Sequence, residues 1–291
     1  MYFRTQKFDK FVSPAQPKSQ FWRLAAGVIT IAAIFLGFTI GTMTLAQKLG
    51  FLVFSETTMD MNTRDSMSLM FLTFIGMIIG VWLSVKLYHG RPLNSLFGEW
   101  TAVRKNFLFS LFVTFSVQLP FMVIAMLVWG IQPNLSFASV ALFLPISFLL
   151  LLIQTGAEEL VFRGYLTQQL AARFKSPIIW FALPALLFGI LHYDPQGMGQ
   201  MAVWIAAALT ILGFLLADLT RVTGNLGAAW GWHFSNNFLL MNLVGMPDNM
   251  HGYSWKIFTF SYHDLSPIVN VPIIGMYIVI WLILRTKLAQ Y

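Results

Sequence analysis

Three short stretches of this sequence carry reactive side chains where apolar residues are expected. The first is Gly156-Ala157-Glu158-Glu159-Leu160-Val161-Phe162-Arg163, two residues after an unbroken apolar run over 148–153. The second is Phe188-Gly189-Ile190-Leu191-His192, and the third is Trp230-Gly231-Trp232-His233-Phe234-Ser235-Asn236-Asn237. Ionisable groups inside a membrane span are expensive, so each one raises a functional question. On a helix, Glu158 and Glu159 point about 100° apart and cannot do the same job. Glu159 stands four residues before Arg163, the favourable order for an ion pair. Glu158 lies on another stripe, near Gln154 and Tyr165, with no arginine beside it, as suits a group that exchanges a proton with substrate. His233 and Asn237 are i, i+4 and share a face. Taken one at a time, the two glutamates can simply mark a helix end, and each histidine can be a satisfied polar residue of a bundle.

Depth distinguishes a constellation from coincidence. The turn Lys175-Ser176-Pro177 and Arg221 mark one membrane surface. Counting along helices at ~1.5 Å per residue, Glu158 lies about 25 Å from that surface, His192 about 22 Å and His233 about 18 Å. Three separate spans therefore bring a carboxylate, an imidazole and an imidazole–amide pair to a similar level. This requires a long helix around Glu158, with Arg163 also below the surface and neutralised by Glu159. Pro145 would let its outer part bend.

The elements that must hold these residues follow from composition. The chain has 291 residues, 57% hydrophobic and 10% charged, with a mean hydropathy of +0.71. A soluble domain carries about 25% charged residues, so this is neither a soluble nor a disordered protein. The absence of cysteine removes disulfides, thiol catalysis and Cys-type metal sites. Eight stretches are long and apolar enough to span, at about 22–47, 67–88, 107–129, 138–172, 177–196, 199–219, 224–244 and 267–285. The expectation is an all-α, polytopic membrane bundle of about eight helices. Residues 1–21 form a basic arm ahead of a single membrane domain, 22–291, whose catalytic core is about 138–244. Of the 18 Lys and Arg, all but Lys48, Arg64 and Lys256 fall on one side, while Glu56, Asp60, Asp65, Asp194, Asp248 and Asp264 fall on the other. Both termini are thus expected in the cytoplasm. This asymmetry also accounts for the net charge of +7 without any affinity for nucleic acid. The arm mixes Phe3, Phe8 and Phe11 with Lys and Arg, which suits either an anionic membrane surface or a basic tail that only sets topology. Trp22, Trp100 and Trp255 are expected interface anchors. The pairs Gly37–Gly41, Gly76–Gly80 and Gly227–Gly231 have GxxxG spacing, but chance supplies such pairs in a glycine-containing membrane chain.

Glu158-Glu159-x-x-x-Arg163, Phe188-x-x-x-His192 and His233-x-x-x-Asn237, in this order on separate spans, resemble the three motifs of the CPBP family, the CAAX-protease and bacteriocin-processing intramembrane proteases also called the Abi family. The resemblance covers about 140–240. It implies that Glu158 and His192 hold and activate a water that attacks a peptide carbonyl. It further implies that His233 and Asn237 donate hydrogen bonds to the resulting oxyanion, with Glu159, Arg163 and Phe188 supporting them. Glu158, His192 and His233 also make a plausible zinc set with an open position, and the same residues serve a metal-free mechanism. The signatures HExxH, GxSxG and GxGD are absent.

The implied partners are the lipid bilayer and a peptide or membrane-associated protein tail, prenylated or not. Two other readings use the same residues. A non-catalytic immunity protein would bind a peptide with this fold. A proton-coupled transporter would use Glu and His as a relay, although no inverted repeat with paired broken helices is evident. Bis-histidine haem ligation by His192 and His233 is more distant still. His251 and His263 read as solvated loop residues, and a plain composition without targeting extensions fits a bacterial inner membrane.

Overall fold

The computed structural model describes residues 3–50, 54, 55, 58, 59 and 62–289. Glu56 and Asp60, counted above among the outward acids, lie outside the described residues. The chain is a helical bundle. After the short helix α1 (Gln6–Val12) come α2 (Phe21–Lys48), α3 (Arg64–His89), α4 (Trp100–Trp129), α5 (Phe137–Arg173), α6 (Ile178–Ile190), α7 (Ala202–Thr223), α8 (Gly227–Asn242) and α9 (Asn270–Leu288). Among the described residues six helices are long and apolar enough to cross a membrane: α2 to α5, α7 with its leading turns from Pro195, and α9 with its leading turn from Pro267.

The stretches expected at 177–196 and 224–244 are also helical but shorter than full spans. Helix α6 stops at Ile190, and Asp194 caps a new turn that begins at Pro195, because proline supplies no N–H to continue a helix and favours its first position. Helix α8 holds His233, Ser235, Asn236, Asn237 and Asn242. It is lined by its neighbours rather than by lipid, since His233, Ser235 and Asn236 are all buried.

Packing follows a few close approaches. Helix α8 crosses α4 where Gly227 and Gly231 meet the backbone of Val103 and Phe107, and an added Cβ would land on those carbonyl oxygens. Gly80 of α3 meets the Ile31 backbone of α2, and Gly213 of α7 lies 3.1 Å from the Ala185 carbonyl of α6 as measured from its ideal Cβ position. By contrast, Gly37 and Gly41 face open space. Helix α8 also packs on α5 and α7, and α9 packs on α7 and α4.

The basic arm is not a free tail: it folds against the helix ends. Thr5 caps α1, and Phe8, Phe11 and Val12 are buried. The Phe8 ring lies 4.7 Å from that of Trp180 on α6. Arg4 Nη1 donates to Ala171 O at the end of α5, and Arg221 Nη1 at the end of α7 donates to Phe3 O. Apolar side chains on one stripe of α1 explain the outcome: burying them against helix ends gains more than leaving them in water. At this end Asp218 binds both Arg221 and Arg285 (2.6 and 2.9 Å), so α7 and α9 are tied close to both chain ends. A cavity of about 480 Å³ opens here beside Lys7, Lys10, Glu99 and Lys105, away from the candidate catalytic residues. The opposite end carries small strands that composition did not suggest. Strand β1 (Phe54–Ser55) pairs antiparallel with β2 (Thr58–Met59). In a three-stranded sheet β5 (Lys256–Phe258) is central, antiparallel to β3 (Ile131–Pro133) and parallel to β4 (Val244–Gly245).

Candidate active site

The site is built where α5, α6, α7 and α8 meet. Helix α5 widens into a π-helical stretch over Leu160–Leu166, just after the two glutamates. Such wide turns inside α-helices recur at functional sites, where they turn side chains that a regular helix would align elsewhere. One turn earlier, Gly156 lets the Trp230 ring of α8 approach to 3.0 Å of its ideal Cβ position, so the two helices come together at the level of Glu158.

Glu159 and Arg163 pair as their spacing predicts, at 2.8 Å and fully buried. The same oxygen, Glu159 Oε1, also lies 2.8 Å from His233 Nδ1. A carboxylate oxygen accepts, so Nδ1 carries the proton and the ring orientation is fixed. Arg163 is held in turn by the Gly213 carbonyl at 3.3 Å. His233 Nε2 then faces Glu158 Oε2 at 3.5 Å and Asn237 Nδ2 at 3.4 Å. Glu158, Glu159, Arg163 and His233 are all at least nine-tenths buried. Glu158 Oε2 has no hydrogen-bond partner among the described residues, and it is turned toward His233 Nε2.

Gln154, one turn before Glu158, joins the two halves. Its Nε2 donates to Glu158 Oε1 at 2.8 Å, and its Oε1 accepts from Asn237 Nδ2 at 3.0 Å. Beyond Asn237, Asn236 Nδ2 donates to Asn237 Oδ1 at 3.1 Å, and Gln118 of α4 donates to Asn236 Oδ1 at 3.2 Å. Sequence reasoning placed Gln154 beside Glu158 but gave it no role, and it did not find Gln118. The signal for Gln154 was its i, i+4 stripe with Glu158. An amide on a separate helix, as Gln118 is, leaves no such spacing.

His192 sits just past the end of α6 and is half-exposed. Its Nδ1 lies 2.7 Å from the Phe188 carbonyl, so that nitrogen carries the proton and Nε2 is the acceptor in the neutral ring. Phe188 separates His192 from the buried cluster. Its ring lies 4.7 Å from the His192 ring and 5.6 Å edge-on from the His233 ring, with the Arg163 guanidinium 4.5 Å over its face. His233, Asn237, Glu158, Glu159 and Arg163 thus come into direct contact, while His192 approaches them across Phe188. Among the described residues no three His, Asp or Glu side chains stand close enough together to hold a metal. Glu158, His192 and His233, the zinc set suggested by type, do not form such a group as they stand.

Residues 140–239 match the family model described as type II CAAX prenyl endopeptidase Rce1-like. This stretch contains all three motifs and supports a peptidase. Over most of its length the chain is similar to the uncharacterized protein YyaK of Bacillus subtilis (strain 168), with 25% identity over 262 residues that cover 86% of this chain and 87% of that protein. No solved structure matches. The Rce1-like segment lies within a multi-pass helical membrane protein.

Proposed function

We propose that this chain is an intramembrane endopeptidase that hydrolyses a peptide bond with a water activated by Glu158. The observation that carries the reading is the arrangement around Glu158 Oε2: an unpartnered carboxylate oxygen beside one imidazole and one amide, all anchored from behind. A general base needs this kind of placement, within reach of the attacking water and fixed by its other oxygen. Here Gln154 fixes Glu158 through Oε1.

In the proposed reaction Glu158 takes a proton from water as the water oxygen attacks the scissile carbonyl. His192 supports the water through Nε2 once the Phe188 ring, which stands between it and the buried cluster, shifts to admit the water. The carbonyl oxygen gains negative charge and receives one N–H from Asn237, whose other N–H is held by Gln154. His233, carrying both protons in the working state, gives Nε2–H to the same oxygen while Nδ1–H remains on Glu159. In that state the charges of Glu158, Glu159, Arg163 and His233 sum to zero in a dry site, where preorganised donors act strongly. Collapse of the tetrahedral intermediate returns the proton from Glu158 to the leaving amine. The C–N bond breaks, and the new carboxyl group passes the second water proton to the amine, so that a carboxylate and an ammonium depart.

The substrate class is a peptide or the tail of a membrane-associated protein. The decisive assay uses purified protein in vesicles with quenched peptides, farnesylated and unmodified, run in H₂¹⁸O and read by mass spectrometry. The expected result is scission with one ¹⁸O in the new carboxylate. Intact peptides of both kinds after incubation with folded protein would count against the reading.

A further inference from the structure

A second buried polar cluster lies away from the catalytic candidates, at the bundle end that carries the N-terminal arm. The chain leaves α3 through Gly90, which is left-handed at φ 64°, and enters Arg91. Arg91 is 8% exposed. Its Nη1 donates to Gln168 Oε1 of α5 at 2.6 Å, but Nε and Nη2 meet no acceptor among the described residues. Burial without a carboxylate pulls this guanidinium down to about 10.

Three more cationic or basic side chains crowd the same place. His89 is held between Lys18 O (3.1 Å) and Tyr165 OH (3.0 Å). Lys18 sets its Nζ over Gly90. Arg23 donates through Nη1 to the Tyr88 carbonyl, while its Nε has no acceptor among the described residues. The charges that act on His89 are Arg91, Arg23 and Lys18, and no carboxylate is among the charges acting on His89 or Arg91. Elsewhere at this end three arginines are matched: Arg4 with Asp9, and Arg221 and Arg285 with Asp218. An unmatched, largely buried guanidinium costs free energy unless an anion approaches it.

The surroundings say what kind of anion. Lys18 and Arg23 are half-buried and reach the surface, whereas Arg91 lies beneath them. Beside them Phe21, Trp22, Trp82 and Leu87 are exposed, and Arg23 and Lys86 lie over the rings of Trp22 and Trp82. Exposed indoles with cationic neighbours at a helix end belong at the headgroup level of a bilayer. Below them α2 and α3 present exposed apolar side chains, Ile29 and Leu36 on α2 and Leu72 on α3. Basic clusters between membrane helices at this level take anionic headgroups. We propose that Lys18, Arg23 and Arg91 bind the phosphate of an anionic phospholipid whose acyl chains lie along α2 and α3. The bound lipid would brace the arm, α2, α3 and the Arg91–Gln168 link to α5, the helix that carries both glutamates.

The test is native mass spectrometry of delipidated protein in dodecyl maltoside. It is titrated separately with dioleoyl phosphatidylglycerol, dioleoyl phosphatidylcholine and inorganic phosphate, and the first adduct is scored. Wild type should prefer phosphatidylglycerol to phosphatidylcholine by about tenfold or more, and Lys18→Gln and Arg23→Gln should each reduce that preference about fivefold. Both substitutions are at half-buried sites, and equal melting temperatures confirm that the variants are folded. Equal affinity for the two lipids, or a preference unchanged in the double variant, would overturn the proposal. Tight binding of inorganic phosphate that displaces the phosphatidylglycerol adduct would also overturn it, by assigning the cluster to a soluble anion.

Discussion

Gln154 is the residue on which the two halves of the proposed chemistry depend, because one amide holds both Glu158 and Asn237. Gln154→Leu should keep the fold, since the side-chain volume is similar, and lower kcat more than it raises KM. Gln154→Glu, which keeps the shape but places a carboxylate against Glu158, should lower it as well. Unchanged kcat in Gln154→Leu would remove it from the site. Asn237→Ala removes one of the proposed oxyanion donors and should cost about 10²- to 10³-fold in kcat, read from steady-state cleavage of an identified peptide. Arg163→Leu acts on stability instead. It strands Glu159 without its guanidinium, and breaking a buried pair costs ~3–5 kcal/mol, visible as a marked fall in melting temperature in detergent. At this scale much was legible in the sequence. The Glu159–Arg163 and His233–Asn237 spacings are helix periodicities, and both pairs meet in the structure. The Glu159–His233 bond and the Gln118–Asn236 link join different helices, and no spacing within one helix encodes them.

Elements decide what the residues can reach. The π-helical turns after Glu159 shift the phase of α5 while Arg163 still pairs back to Glu159. The sequence gives no sign of this widening. The end of α6 was similarly hidden: apolar residues continue through Leu191, yet the helix stops at Ile190 and leaves His192 on a turn, across Phe188 from the cluster. Glycine pairs of identical spacing proved unlike. Gly227–Gly231 lets α8 lie against the α4 backbone, whereas a Cβ added at Gly37 or Gly41 would meet none of the described residues, because spacing alone does not say which face has a neighbour. Gly231→Val should therefore drive α4 and α8 apart, lowering the yield of monodisperse protein and abolishing cleavage. Gly41→Val should leave both intact. Size-exclusion profiles of the two variants check this directly, and equal behaviour would contradict the packing described.

For the whole molecule, composition alone set the class, and the bundle with six long apolar helices agrees with it. The arm departs from expectation because its aromatic residues find Trp180 and the ends of α5 and α7. The chain has no cysteine, so sidedness is open to single-cysteine labelling without background. Lys10→Cys and Asp248→Cys are both exposed, near opposite ends of the bundle. A membrane-impermeant maleimide applied to intact cells should label Asp248→Cys and not Lys10→Cys, as the distribution of Lys and Arg predicts. The reverse pattern would invert the topology.

The central claim is that Glu158 activates the water that cleaves a peptide bond. Its most direct test compares wild type with Glu158→Gln, a near-isosteric change that keeps the link to Gln154 but removes the base, on one cleaved peptide at equal protein concentration and equal melting temperature. Loss of general-base catalysis predicts a rate about 10²- to 10⁴-fold lower in the variant. A Glu158→Gln rate within a few-fold of wild type would contradict the account.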